Sequence, residues 1–305
     1  MNDVSTLIAR AEGLVERLER LVPGAPPAID WKASIAFRWR RRERGRSIEP
    51  VINVHRIELG DLRGIDEQKH RVEENTRQFV GGFPANNVLL TGARGTGKSS
   101  LVKALLNRYA PRGLRLIEVE KQDLVDLPDI VERIYRRTER FILYCDDLSF
   151  EADEPGYKAL KVVLDGSVAA ASENCLIYAT SNRRHLMPEF MHENLEYKHV
   201  GEEIHPGETS EEKVSLSERF GLWVSFYPFD QDDYLRIVDV WLDHFKAPAA
   251  HSDAARRAAL QWSLQRGSRS GRVAWQFARD WAGKQRMKAE GNKARMKDEG
   301  GRRKG

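Results

Sequence analysis

Gly92-Ala93-Arg94-Gly95-Thr96-Gly97-Lys98-Ser99 is the stretch whose residue types and spacing dictate chemistry. It fits G-x-x-x-x-G-K-[ST], a loop that holds phosphates. Glycines let backbone N–H groups turn inward, so Gly92, Ala93, Arg94, Gly95, Thr96, Gly97, Lys98, Ser99 and Ser100 are predicted to cradle a polyphosphate such as that of ATP. A helix beginning at the end of the loop adds partial positive charge beneath it. In that setting Lys98 reaches the β- and γ-phosphates and the Ser99 hydroxyl holds Mg²⁺.

Such a loop needs a carboxylate at the tip of a neighbouring strand. Phe141-Ile142-Leu143-Tyr144-Cys145-Asp146-Asp147 supplies an apolar run ending in two acids. Asp146 suits a metal role, and Asp147 suits the orientation or deprotonation of a water. Leu176-Ile177-Tyr178-Ala179-Thr180-Ser181-Asn182 is a second run ending in a polar amide, so Asn182 is predicted to lie between the acids and the terminal phosphate. His185, His192, His199 and His205 match no zinc spacing and read as part of a solvated loop.

The elements that position these residues follow from periodicity. Strands are predicted at 87–91, 114–119, 140–145, 174–180 and 222–227, with helices at about 98–109, 128–138 and 156–172. That alternation implies an α/β class: a parallel sheet with helices on both faces, over residues 61–229. A capped helical stretch from Leu62 to Phe79 precedes it, broken by Gly81-Gly82-Phe83-Pro84. Beyond Pro228, residues 230–246, 252–266 and 270–289 read as three helices, a small helical domain over 230–288. Residues 183–215 are too long and polar for a simple connection. Residues 1–60 are expected to form a separate N-terminal segment, with an amphipathic helix at 5–21 and a basic aromatic stretch at 31–46. Residues 289–305 are expected to be a disordered basic tail.

The 305 residues carry a formal net charge of +4, unevenly placed. Residues 31–46 hold seven basic residues against one acid, and residues 283–305 hold nine against three. An acidic body with two basic segments suggests a polyanionic partner. In residues 31–46, arginines could neutralise phosphates while Trp31, Phe37 and Trp39 stack on bases. A membrane surface, or a helix packing its aromatics on the core, are the other readings of that stretch. No apolar run reaches the ~20 residues that span a bilayer, and the first residues carry no signal-peptide pattern. Cys145 and Cys175 sit in apolar runs without metal-ligand spacing, so a reducing, cytoplasmic location is expected.

Taken in order, the loop, the two acids, Ala179-Thr180-Ser181-Asn182-Arg183, Leu216-Ser217-Glu218-Arg219-Phe220 and the helical lid resemble an AAA+ ATPase. Leu62-Arg63-Gly64-Ile65-Asp66, Ala85-Asn86-Asn87 and Cys145-Asp146-Asp147-Leu148-Ser149-Phe150 resemble one bacterial subgroup, the AAA+ ATP-binding proteins numbered 815 among the domains of unknown function. The resemblance covers about residues 45–285. It implies that Asn182 acts as sensor 1 and that Ile65 meets adenine. It also implies that Arg219 is an arginine finger reaching a neighbouring subunit's nucleotide, within a homo-oligomeric ring or arc. Arg272 matches sensor 2, with Arg269 as the rival. Lys98, Asp147, Asn182, Arg219 and Arg272 form the implied catalytic set, with Ser99 and Asp146 on the metal.

Most AAA+ enzymes have Glu where this chain has Asp147, and replication initiators that share two aspartates turn over slowly, so slow hydrolysis is implied. Glu151 is a possible substitute base. Glu120-Lys121-Gln122-Asp123-Leu124-Val125-Asp126 lacks the aromatic and glycine of polypeptide-threading rings. ATP-driven remodelling of nucleic acid or of a nucleoprotein complex is the function expected. A nucleotide-gated switch with little turnover, or an adaptor recruiting a protein partner through residues 5–21, are the alternatives.

Overall fold

The computed structural model describes residues 4, 8, 10–14, 29–42, 45–150, 154–165, 173–183, 198–200, 203–205, 217–248 and 250–302. Its centre is a seven-stranded sheet: β1 (Ala36–Arg42), β2 (Gly45–Pro50), β3 (Val88–Gly92), β4 (Leu114–Glu118), β5 (Arg140–Cys145), β6 (Cys175–Ser181) and, after a short hairpin of β7 (Lys198–Val200) and β8 (Glu203–His205), β9 (Leu222–Phe226). The strand order is β2-β1-β4-β5-β6-β3-β9, and every pairing except β1 with β2 is parallel. The glycine-loop strand β3 thus lies between β6 and β9, with β5 beyond β6. That order brings the loop, the two acids and Asn182 to one end of the sheet.

Side chains alternate across the strands, as the two-residue period requires. Leu90, Ile142 and Tyr144 join an apolar core with α1 (Asp66–Val80) and α2 (Lys98–Tyr109). Leu89, Phe141, Leu143 and Cys145 join a second core on the other face, with α3 (Leu127–Ile134) and α4 (Pro155–Asp165). This is the expected α/β class, a parallel sheet covered on both faces. Three helices follow: α5 (Gln231–His244), α6 (Asp253–Gln265) and α7 (Gly271–Arg302). Asp230 caps α5 by accepting from the Asp233 amide at 2.7 Å, and Ser252 caps α6 through the Ala255 amide at 3.2 Å. Tyr234, Ile237, Val273 and Phe277 of these helices belong to the same apolar core as Leu101 and Leu105 of α2.

In the basic aromatic stretch 31–46 the aromatics pack on the core, one of the readings expected, but Phe37 and Trp39 do so from a strand and not a helix, and the stacking of these aromatics on bases is corrected. Phe37-Arg38-Trp39-Arg40 lies in β1, which pairs with β2 and extends the main sheet through β4. Trp31, Phe37 and Trp39 are buried in the second core and have no face left for a base. Four of the arginines meet acids: Arg38 with Glu118 at 2.7 Å, Arg40 with Glu120 at 3.0 Å, Arg42 with Glu49 at 2.7 Å and Arg46 with Asp126 at 2.9 Å. A polyanion would have to break these pairs. The boundary expected at residue 60 therefore falls after two strands that belong to the sheet.

The tail is corrected too, since α7 runs on to Arg302 instead of ending near 289. Its Ala, Lys, Arg, Met and Glu content favours helix, and Lys284 pairs with Asp280 one turn back at 2.7 Å. Of the helix expected at 5–21, residues 10–14 are helical and the rest fall largely outside the described residues. Glu151, His185 and His192 also lie outside them.

Candidate functional site

Backbone contacts shape the phosphate loop before any side chain does. Gly92 has φ +123, and a Cβ there would lie 1.9 Å from the Phe226 carbonyl oxygen of β9. Gly95 has φ +76, and a Cβ there would meet Ser270 at 2.8 Å. Neither position tolerates a side chain, which is why glycine recurs. The Gly271 amide donates to the Gly95 carbonyl at 2.8 Å, so the first residue of α7 is bonded to the loop.

Lys98 Nζ donates to the carbonyls of Gly92 and Ala93, both at 2.7 Å, and to Asn182 Oδ1 at 3.2 Å. Burial pushes the Lys98 ammonium down to about 8, an effect that Asp147 and Asp146 partly offset and Arg94 reinforces. Asp146 Oδ1 accepts from Thr180 Oγ1 at 2.6 Å, Tyr144 OH at 2.7 Å and Ser99 Oγ at 2.8 Å. Burial alone would raise the Asp146 pKa, but the three hydroxyls win and hold it below the usual carboxylate range. Burial keeps the Tyr144 phenol well above its ordinary value, so it remains a donor.

Asp147 adopts φ +53, uncommon outside glycine. Its amide donates to Thr180 Oγ1 at 2.9 Å, which fixes that posture. Asn182 Nδ2 donates to Asp147 Oδ1, and Arg94 faces Asp147 Oδ2 at 3.7 Å. Thr180 thus holds both acids at once, donating to one and accepting from the other.

These groups open into a cavity of about 710 Å³ between the sheet and helices α5 and α7. One end is polar, with Arg94, Lys98, Ser99, Asp146, Asp147, Asn182 and Arg272. The other is mostly apolar, with His55, Ile57, Leu62, Ile65, Phe229, Ile237, Trp241 and Trp275. Gly95, Thr96, Gly97 and Ser100 line it as well, while Ala93 and Arg269 line an adjoining cavity of about 600 Å³, which Arg94 and Thr96 also border. Arg219 does not line either one; its Nε donates to Asp165 at the end of α4. The structure therefore brings together the loop, both acids, Asn182, Ile65 and Arg272, and sets Arg219 apart.

A polyphosphate with an aromatic base suits this donor set. An amphiphilic cavity of that size has cations at one end and aromatic walls at the other. Ser99 and Asp146 offer adjacent hard oxygens, with the carboxylate kept ionised, which fits a magnesium ion. Sequence reasoning missed Thr180 and Tyr144, although hydroxyls flanking an acidic strand tip were visible. It also missed Trp241, Trp275 and His55, whose approach depends on how the last helices pack.

Comparison with known proteins gives distant likenesses and one family. A 26S proteasome regulatory subunit 4 homolog from Encephalitozoon cuniculi is 26% identical over 121 residues, 33% of this chain and 28% of that protein. The corresponding protein of Caenorhabditis elegans is 27% identical over 120 residues, 33% of this chain and 27% of its own. The chain thus spans under a third of the length of these curated relatives. Among solved structures, a variant of Thermotoga maritima RuvB shares 16% identity at a TM-score of 0.49, covering 74% of this chain and 64% of its own. The FIGL-1 AAA domain in complex with ADP shares 16% at a TM-score of 0.44, covering 75% and 86%. The family model described as "Protein of unknown function (DUF815)" matches residues 32–285, which take in the whole sheet and the cavity, and the chain belongs to that family.

Proposed function

We propose that this chain binds Mg-ATP in the cavity between the sheet and the last helices, and hydrolyses it. The observation that carries the reading is the shared hydrogen bonding of Ser99, Asp146, Thr180, Asp147, Asn182 and Lys98 at one end of the sheet. Lys98 and Arg272 bind the phosphates and stabilise charge. Ser99 and Asp146 hold the metal, which offsets phosphate charge when bound. Asp147 takes the proton of the attacking water, positioned by Asn182. Ile65, Trp241 and Trp275 enclose the base. Arg219 acts on a neighbouring subunit's nucleotide, a head-to-tail contact that generates rings or arcs.

The test is ATP hydrolysis against protein concentration, with Lys98→Ala as the blank. Specific activity that rises with concentration and vanishes in the blank is the expected result. Wild-type activity equal to the blank would overturn the hydrolytic reading. Tight ATP binding without turnover would then favour the nucleotide-gated switch. One observation favours that second reading: both Asp147 carboxylate oxygens are already engaged, by Asn182 and Arg94.

For the work done, remodelling of nucleic acid or of a nucleoprotein complex now rests on the basic residues 283–305 alone. Stimulation of turnover by single-stranded DNA, lost on neutralising Lys284, Arg286 and Lys288, is its test. Residues 121–126 form a short 3₁₀ turn with Leu124 and Asp126 buried, which disfavours a polypeptide-threading loop. An adaptor role for residues 5–21 draws on the exposed apolar side chains of Ile8 and Leu14. The cytoplasmic location rests on two free thiols, Cys145 and Cys175, both pushed up to about 12 by burial.

A further inference from the structure

Arg94 is a cation that neither the loop motif nor the fold requires. The backbone alone makes the phosphate cradle, and the third position of the motif is free to vary. Here it carries a guanidinium that is three-quarters exposed, borders both cavities and faces Asp147 Oδ2 at 3.7 Å. Arg219 is engaged with Asp165 away from the cavity. Among the described residues of a single subunit, Arg63 lines the cavity beside Leu62, and the loop and the start of α7 contribute three further cations, Lys98, Arg94 and Arg272. They differ in anchorage. Lys98 is buried and bonded to loop carbonyls, and Arg272 starts a helix packed on the loop. Arg94 reaches Asp147 across a long, solvent-exposed gap, a pairing of small energy.

We propose that Arg94 distinguishes a nucleoside triphosphate from a diphosphate and, in doing so, hands Asp147 over to water. A terminal phosphate carries more charge than one carboxylate and offers three oxygens to the planar fork of an arginine. Arg94 therefore leaves Asp147 Oδ2 when a γ-phosphate arrives, and that oxygen becomes the free acceptor. With a diphosphate the pair stays closed. Asp147 Oδ1 remains on Asn182 in both states, so the carboxylate is released without losing its orientation. Arg94 is thus a specificity residue for the γ-phosphate and a positioning residue for Asp147.

The inference rests on the reading of the cavity as an Mg-ATP site, and the experiment separates the two. Affinities for ADP and for the non-hydrolysable triphosphate AMP-PNP, each with Mg²⁺, are measured for the wild type, Arg94→Ala, Arg94→Lys and Asp147→Asn. If neither nucleotide binds the wild type, the cavity reading fails. If both bind, the expected result for Arg94→Ala is ADP affinity within about twofold of wild type and AMP-PNP affinity lowered about tenfold, the scale of one charge-assisted contact. Arg94→Lys, which keeps the charge and loses the fork, recovers part of that loss. Asp147→Asn, which removes the competitor for Arg94, tightens AMP-PNP more in the presence of Arg94 than in the Arg94→Ala background. A purely structural role for Arg94 would move both nucleotides alike and leave no coupling to Asp147. Equal loss for ADP and AMP-PNP, no loss for either, or equal Asp147→Asn effects in both backgrounds would overturn the proposal.

Discussion

Lys98 is where the chemistry of the loop becomes measurable. Its pKa of about 8 lies below the 10.5 of an unburied lysine, with burial as the main cause. The unfolded chain therefore binds more protons between these values, so the free protein gains stability as pH rises from about 8 toward 10.5. Nucleotide binding runs the other way. Phosphates favour the charged lysine and raise its pKa, so binding takes up a proton above pH 8. ATP affinity is then expected to fall as pH rises through about 8, by up to tenfold per pH unit. Calorimetric titrations in buffers of different ionisation enthalpy would read that proton, and Lys98→Ala should bind weakly with a flat profile above pH 8. The acids were legible in sequence because they end an apolar strand. Thr180 was not, because its two partners are 34 and 33 residues away, across a strand register that only the sheet defines.

Among the elements, the β1–β2 hairpin teaches most. Phe37-Arg38-Trp39-Arg40 alternates apolar and charged residues, the pattern of a half-buried strand, and Gly45 follows with φ +128. The strand signal was present, but the density of arginine pointed to a polyanion, because Glu118, Glu120 and Asp126 are about 80 residues away. The five strands around the loop needed no such partner information, since each is a short apolar run between breakers. Trp39 ties the hairpin down: its indole donates to Asp126 at 3.0 Å, where Arg46 also binds the carboxylate and Arg133 stacks over the ring. Trp39→Phe leaves a buried carboxylate one donor short, at a cost of about 2 kcal/mol in urea unfolding. Nucleotide affinity should be unchanged. A nucleic-acid-stacking tryptophan would instead leave urea unfolding unchanged and change the affinity for single-stranded DNA.

At the scale of the whole molecule, the separation of Arg219 from the cavity makes a subunit catalytically incomplete in the proposed mechanism. Mixing two inactive variants tests this. Lys98→Ala lacks its own site but can lend Arg219; Arg219→Ala keeps its site but lends nothing. Partial recovery of hydrolysis in the mixture, at concentrations where neither variant works alone, is expected from sites shared between subunits. No recovery, with Arg219→Ala as active as the wild type, would return Arg219 to its pairing with Asp165 as a local contact.

The bond between the Gly271 amide and the Gly95 carbonyl gives the molecule a reporter of its own. That amide belongs to the first turn of α7, where no carbonyl of the same helix can accept it. Its hydrogen-bond acceptor belongs to the loop that would hold the phosphates. Deuterium can replace its proton only in the moments when helix and loop part, so one backbone hydrogen keeps a running count of how often the cavity opens, and a nucleotide that closes it should slow that count.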